Sequence, residues 1–475
     1  MVTIQIQPHN TVALNQLQLG VQTDYYWKNL IDVPTYSTLL QAVNIKLVRV
    51  FDFRPTTPKL MPCLQWNETT KTGTWNWTNV DAFANKVFDI GAEPLFCLGW
   101  ATNETNIMNK IPLGMTLDSV TKLPNPASYA AYASEWVRHF KQVGLPVRLF
   151  EVMNEPNAYF LSDNTKIGYF SDLFKASYQA MKAEDPNIII GNDCDSIPTL
   201  LDYWLSHGID TDSINFHKYD AGSATLPSNP SYKTDSQVFD YAESRCFTSS
   251  GFGRSVTDSQ DVYYQFRGKI LPILNTESNL SAAWSTGTDI RNVNVAGAVW
   301  LALVLRMSIL KGLSMHVYFN LESSYSWEKT KPDGGAGFAM INSDNKKPWA
   351  PYYVYRMIGP NININDKVLQ TDVVDTRLRA LTWLHESNMN VLLVNRSHDQ
   401  IHVQLVGTPA SMTSMKVNES IPFENMSPIE ETANANDILL SGYTVQLLQA
   451  PVATARYLFK QWQDGDTNPT KTVNL

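Results

Sequence analysis

At 475 residues the chain exceeds one ordinary domain and suits a large barrel with an appendage. Hydrophobic residues make up 44%, enough for a full core, while charged residues at 17% fall below the usual quarter, leaving Asn, Thr, Ser, Tyr and Trp to cover the surface. A net charge of -8 without any Lys/Arg run argues against a nucleic-acid partner, and no apolar run is long enough to span a membrane.

In chain order, Met1–Pro8 alternates Val2, Ile4 and Ile6 with polar residues, the pattern of a half-buried antiparallel strand. From residue 17 short apolar runs alternate with helical patterns. The runs are Leu17–Thr23, Ile45–Phe53, Glu93–Trp100, Val147–Asn154, Ile188–Cys194, Ser213–Tyr219, Ile270–Glu277 and Leu313–Asn320. Helices are predicted over Tyr36–Val43, Asn79–Ile90, Pro126–Gln142, Ile167–Glu184, Pro198–His207, Asp258–Phe266 and Val293–Leu310, with Pro351–Ile358 closing the series. Pro126 and Pro198 sit near helix starts, and Gly91, Gly144 and Gly208 follow helix ends. Eight strand–helix units with near-continuous apolar strands predict a (β/α)8 TIM barrel, an α/β fold. A dinucleotide-binding open sheet would need a Gly-rich turn after the first strand, where Asp24-Tyr25-Tyr26 stands instead.

After Gly359-Pro360 short strands follow without helices: Lys367–Val374, Leu378–His385, Asn390–Asn395, His402–Gly407, Ser414–Val417 and Tyr443–Gln449. They predict a C-terminal antiparallel β-sandwich that clamps the barrel. The expected division is residues 1–8 joining the sandwich, 9–360 the barrel, 361–456 the sandwich and 457–475 a polar tail. The cysteines lack CxxC spacing, so neither a metal nor a redox site is expected, and no cofactor is implied. Cys97 and Cys194 read as buried thiols, whereas Cys63 and Cys246 fall in polar loops and are open to pairing. Seven N-x-S/T sequons are close to the chance number for an Asn-rich chain.

Two acids carry the chemistry. The fourth run, VRLFEVMNEPN, ends in Asn154-Glu155-Pro156, where the proline stops the strand and leaves Glu155 at its carboxyl end. The seventh, ILPILNTESN, ends in Glu277. Strands four and seven face each other across a barrel mouth, so the two acids converge on one cleft. Paired carboxylates are the machinery of glycoside hydrolysis: a gap of about 5–5.5 Å gives retention of anomeric configuration, a wider one inversion. The acid needs a raised pKa, and the nucleophile needs hydrogen-bond donors. Tyr219, two residues past His217, can donate; Arg54 can supply positive charge; Asn154 can hold a substrate 2-hydroxyl. Aromatics near strand ends, Tyr25, Trp27, Trp100, Trp284 and Trp327, fit a sugar cleft, and the long loops 54–79 and 101–125 favour a groove for an extended chain.

With NEPN ending strand four and NTESN ending strand seven, the chain resembles the clan A glycoside hydrolases. It is most similar to family 39, the β-xylosidase and α-L-iduronidase group, with families 5 and 51 near it. The resemblance implies Glu155 as general acid/base and Glu277 as retaining nucleophile, with Arg54, Asn154, His217 and Tyr219 as subsite residues. Strand eight reads MHVYFN, without the tryptophan many clan members place there, and Phe319 or Trp327 is the candidate substitute. The expected function is a retaining, endo-acting β-glycosidase on a xylan, glucan or mannan type chain. The alternatives are an exo-acting β-xylosidase or iduronidase-like enzyme, for which Lys218 and Arg54 are candidate carboxylate binders, and a non-catalytic carbohydrate-binding barrel. A polymeric substrate and a low-charge surface favour an extracellular setting. No GxSxG elbow offers a rival triad.

Overall fold

A computed structural model describes residues 1–452 apart from 24–26, 51–59, 100–110, 157–163, 193–196, 250–253, 284–286, 333–334 and 423–425. All eight apolar runs contain strands: Gln18–Thr23, Leu47–Val50, Glu93–Cys97, Leu149–Glu151, Ile189–Gly191, Ile214–Tyr219, Ile273–Asn279 and Met315–Tyr318. Neighbours in sequence pair in parallel, and the eighth pairs with the first, giving the order 5-4-3-2-1-8-7-6. The eight predicted helices are present to within a few residues at either end, whereas Trp27–Asp32 and Asp235–Ser244 are helices the pattern did not show. Asn125 begins the helix Pro126–Val143 by accepting from the N–H groups of Ala127 and Ser128, and Gly144 ends it at φ 74°. That left-handed turn is open to glycine without steric cost.

The ladder is open between strands five and six, and Asp212 bridges the gap. Its N–H donates to the Ile190 carbonyl (2.9 Å) while its Oδ2 accepts from the Ile190 N–H (3.2 Å). Lys182 Nζ lies 2.6 Å from the same carboxylate, and the Tyr178 hydroxyl donates to it at 3.0 Å. Replacing Asp212 by Ala is expected to cost about 2–4 kcal/mol, since an amide and a lysine lose their buried partner together. Urea unfolding checks this; a loss below about 0.5 kcal/mol would mean the barrel closes without this bridge.

The loop after strand two carries a hairpin, Cys63–Asn67 and Thr72–Trp75, that the chain's periodicity does not announce. It lies against the helix Pro126–Val143 through a column of rings. Tyr132 stacks on Trp75 (centroids 5.8 Å apart), Trp75 on Trp77 (4.9 Å) and Trp77 on His139 (4.0 Å). Both faces of Trp75 and Trp77 are thereby used in packing. This part of the loop is a buttress for the barrel wall.

The sandwich is a nine-stranded sheet into which the N-terminal strand is inserted. That strand runs Val2–Leu14, beyond the eight residues its alternation suggested, and pairs antiparallel with Lys367–Val373 and parallel with Ile401–Val406. Strands Ile429–Asn434 and Ile438–Leu440, unforeseen because the first is largely polar and the second only three residues long, form the two edges. Period two sorts side chains between two cores. On Asn388–Asn395, Met389, Val391 and Leu393 fill the sandwich interior, whereas Leu392 and Val394 join the core shared with the barrel. The helix Val295–Leu310 is apolar all round, with 13 buried residues, because it lies between barrel and sandwich. Cys63, Cys97 and Cys246 are buried, and Cys63 and Cys246 do not pair with each other; Cys194 lies outside the described residues. Burial pushes the Cys63 thiol up to about 12. Sequon residues Asn279, Asn395 and Asn418 are buried and closed to glycans.

Candidate active site

Alternation along the barrel strands builds the site from below. Leu47, Leu95, Leu149, Leu274 and Met315 pack together as an apolar plug inside the barrel. Two residues further toward the carboxyl ends, the same inward positions hold Arg49 and Glu151, both fully buried. Their outward neighbours Val48, Val50 and Phe150 pack into the core beneath the helices.

The Arg49 guanidinium organises everything above the plug. Nε meets Glu151 Oε2 at 2.7 Å, Nη1 meets Gln22 Oε1 at 2.6 Å and Glu277 Oε2 at 2.8 Å, and Nη2 meets Asn154 Oδ1 at 2.7 Å. Asn215 Nδ2 donates to the second Glu151 oxygen at 2.7 Å. Burial opposes ionisation of Glu151, but Arg49, then His217 and Asn215, outweigh it and hold the carboxyl below its usual range. A planar fork with five donors suits four acceptors, one from strand one, two from strand four and its end, and one from strand seven, in a way an ammonium does not.

Glu155 and Glu277 face each other above this layer. With His217 they bring one donor atom each within 4.8 Å of one another. His217 Nδ1 lies 2.8 Å from Glu155 Oε1, and the Tyr219 hydroxyl donates to Glu277 Oε1. Strand pairing sets this up, because His217 is in register with Glu277 and Tyr219 with Asn279. Glu155 adopts φ 44°, a left-handed conformation that costs a non-glycine residue about 1–3 kcal/mol and is sustained only by surrounding structure.

The two acids differ in their donors. Burial raises the Glu155 carboxyl, and the Arg49 charge pulls it back in part. Burial raises Glu277 as well; His217 opposes this, the Glu155 charge adds to it, and Arg49 and the Tyr219 hydrogen bond oppose it. Two carboxylates this close resist double ionisation. The negative charge belongs on Glu277, which has a guanidinium at 2.8 Å and a hydroxyl donor, and the proton on Glu155. Tyr219 stays a donor, since burial and the Glu277 charge push its own ionisation well above the ordinary range.

A raised folded-state pKa favours the fold at low pH and costs stability once pH passes through it. Glu155→Gln removes that cost, so its Tm is expected to exceed the parent's near pH 8 and to converge with it below about pH 4, where both acids are neutral. Calorimetry at the two pH values checks the sign, and a lower Tm at pH 8 would refute it.

Glu155, His217 and Glu277 are also metal-ligand types at metal-ligand spacing. The guanidinium against Glu277 already supplies the positive charge there, and a second cation would be repelled.

The other expected residues divide. Asn154 is buried beside Arg49, and Phe319, 6% exposed, sets its ring edge against Tyr219 with centroids 6.4 Å apart. Trp327 is half exposed on a short helix beneath Lys331, and among the described residues nothing connects it to the acids. Trp27 is buried in the core against Phe83. Lys218 is buried and paired with Asp220, so it does not serve a substrate carboxylate. His316 fills the core between Ser278 and Tyr355, its pKa pushed down to about 3 by burial. Tyr25, Arg54, Trp100 and Trp284 lie outside the described residues. Arg49 sets a cation against Glu277, and Arg49, Glu151, Asn215 and Gln22 are the residues the motifs missed. Their signal was a lone charge in each of two buried apolar strands, LVRV and LFE.

The fold and this braced pair of acids at a barrel mouth define a class: a (β/α)8 barrel with a paired-carboxylate site. No protein-family model matches the chain, and no curated protein matches it. Solved structures do. A monomeric β-xylosidase from Caulobacter crescentus CB15 is similar with a TM-score of 0.67 at 13% identity, over 95% of this chain and 100% of the other. A glycoside hydrolase family 39 enzyme from Xanthomonas axonopodis pv. citri gives 0.65 at 14%, over 95% and 97%. A family 30 endoxylanase from Clostridium papyrosolvens C71 gives 0.56 at 13%, over 94% and 100%. The fold is thus shared with glycoside hydrolases that include family 39 and family 30 enzymes, in line with the resemblance the strand-end motifs carry.

Proposed function

We propose that the chain is a retaining β-glycosidase acting on a xylan, glucan or mannan type chain. The observation that carries this reading is the opposed pair Glu155 and Glu277, within 4.8 Å at their nearest oxygens and supplied with different donors. That gap suits direct attack by a carboxylate and is too narrow for an interposed water. In the first step Glu277 attacks the anomeric carbon while Glu155 gives its proton to the leaving oxygen. In the second, Glu155 takes a proton from water as the water displaces Glu277. Asn154, oriented by Arg49, binds the 2-hydroxyl, and Phe319 takes the stacking role usually filled by tryptophan.

The solved neighbours support glycosidase activity in general, and their names include a β-xylosidase and an endoxylanase. The loops after strands two and three favour internal cleavage, and a polymeric substrate favours an extracellular setting. The test is a panel of β-linked polysaccharides and aryl β-glycosides, scored for product length and for the anomer first released. Oligosaccharides of retained configuration are expected. Monosaccharide alone would identify an exo-acting enzyme, an inverted first product would overturn the mechanism, and sugar binding without bond cleavage would identify a non-catalytic barrel.

A further inference from the structure

Strand six carries both His217 and Tyr219, and its end is held from outside the barrel. Lys218 donates to Asp220 Oδ1 (3.0 Å) and to the carbonyls of Tyr241 (2.9 Å) and Arg245 (2.8 Å). Arg245 Nη1 donates to the Tyr219 carbonyl at 2.5 Å, and Trp300 Nε1 donates to Asp220 Oδ2 at 2.7 Å. Three consecutive residues are therefore tied to the C-terminal end of the helix Asp235–Ser244 and to the helix Val295–Leu310.

The helix Asp235–Ser244 is gripped in turn by the sandwich. Its Glu243 carboxylate, 14% exposed, accepts from Arg379 Nε (2.8 and 2.9 Å), Arg396 Nη1 (3.0 Å) and Arg306 Nη1 (3.2 Å). Arg396 also pairs with Asp240, and the Tyr443 hydroxyl donates to Asp235 Oδ2 at 2.9 Å. The helix buries only Val238, Phe239 and Ala242. Three guanidinium groups on one acid repel each other, so the arrangement is poor as simple charge neutralisation. It works as a positional lock, because sliding the helix breaks all of these contacts together.

We propose that the β-sandwich is part of the catalytic apparatus: through Glu243 it fixes the helix Asp235–Ser244, and that helix holds Tyr219 against Glu277. Glu243 is then a positioning residue. This rests on the reading of Glu277 as nucleophile, and the groups facing Glu277 are Arg49 from strand two, Glu155 after strand four, and His217 and Tyr219 from strand six. If Tyr219 withdraws, Glu277 loses a donor to its ionised form and becomes harder to ionise.

The experiment compares the full chain with Glu243→Ala, Tyr219→Phe and the double variant. Two readouts are followed: the acidic limb of kcat/KM on an aryl β-glycoside, and the Glu277 carboxyl titration by carbon-13 NMR. Each single variant is expected to move both readouts upward by roughly one pH unit, the size of one lost charge-assisted hydrogen bond. The double variant is expected to match Tyr219→Phe alone. A Glu243→Ala chain that melts earlier with both readouts unmoved, or shifts that add in the double variant, would overturn the proposal. Should Glu243→Ala fail to fold, Arg379→Met removes one anchor and is held to the same criteria. A parent chain that cleaves no glycoside would sink the functional reading, while the NMR titration would still decide whether Glu243 governs Glu277.

Discussion

On the proposed mechanism Glu277→Gln is expected to lower kcat on β-glycosides by on the order of 10⁴-fold or more, roughly 5–6 kcal/mol of barrier, because an amide cannot replace the attacking carboxylate. The fold should persist: Arg49 keeps Glu151, Gln22 and Asn154 as partners, and an amide fills the carboxylate's volume. Glu155→Gln gives the contrasting pattern. It withholds the proton a sugar leaving group needs, slowing polysaccharide cleavage by about 10²–10⁴-fold, yet an aryl glycoside with an acidic leaving group should still form the covalent intermediate in a burst. Stopped-flow and steady-state rates on both substrate kinds separate the two roles. Hydrolysis by Glu277→Gln within tenfold of the parent would end the assignment.

Arg49→Lys is the second large effect. An ammonium on a flexible stem cannot reach Gln22, Glu151, Asn154 and Glu277 together, so at least two buried acceptors lose their donor. At about 1.5–3 kcal/mol for each charge-assisted bond, a stability loss of roughly 3 kcal/mol or more is expected. Catalysis should fall with it, because Glu277 loses charge stabilisation and Asn154 loses its orientation. The acidic limb of kcat/KM should move upward, since the carboxylate that must ionise has lost its cation. Urea denaturation and a pH–rate profile check both. A variant with parental stability and an unmoved limb would show that Arg49 is not what holds this layer together.

The eightfold rhythm of apolar runs and helical patterns was legible residue by residue, because period two and period 3.6 are local properties of a chain that must bury one face. The same holds for the acids: a carboxylate followed by proline at the end of a buried run has nowhere to go but the mouth of the barrel. The sandwich was legible too, except for its two edge strands: Ile429–Asn434 is mostly polar because much of it faces solvent, and Ile438–Leu440 is too short for a period to show. What no local pattern revealed is the layer beneath the acids. Arg49, Glu151, Asn215 and Gln22 come from four different strands, and each taken alone is a polar residue in a strand. Only closure of the barrel stacks their inward positions at one height, where a single guanidinium neutralises two acids and orients the rest. The same closure turned several expected sugar contacts, Trp27 and Lys218 among them, into core and internal pairs. Side-chain direction depends on the register between strands, and register is decided by the whole ring of strands packing at once.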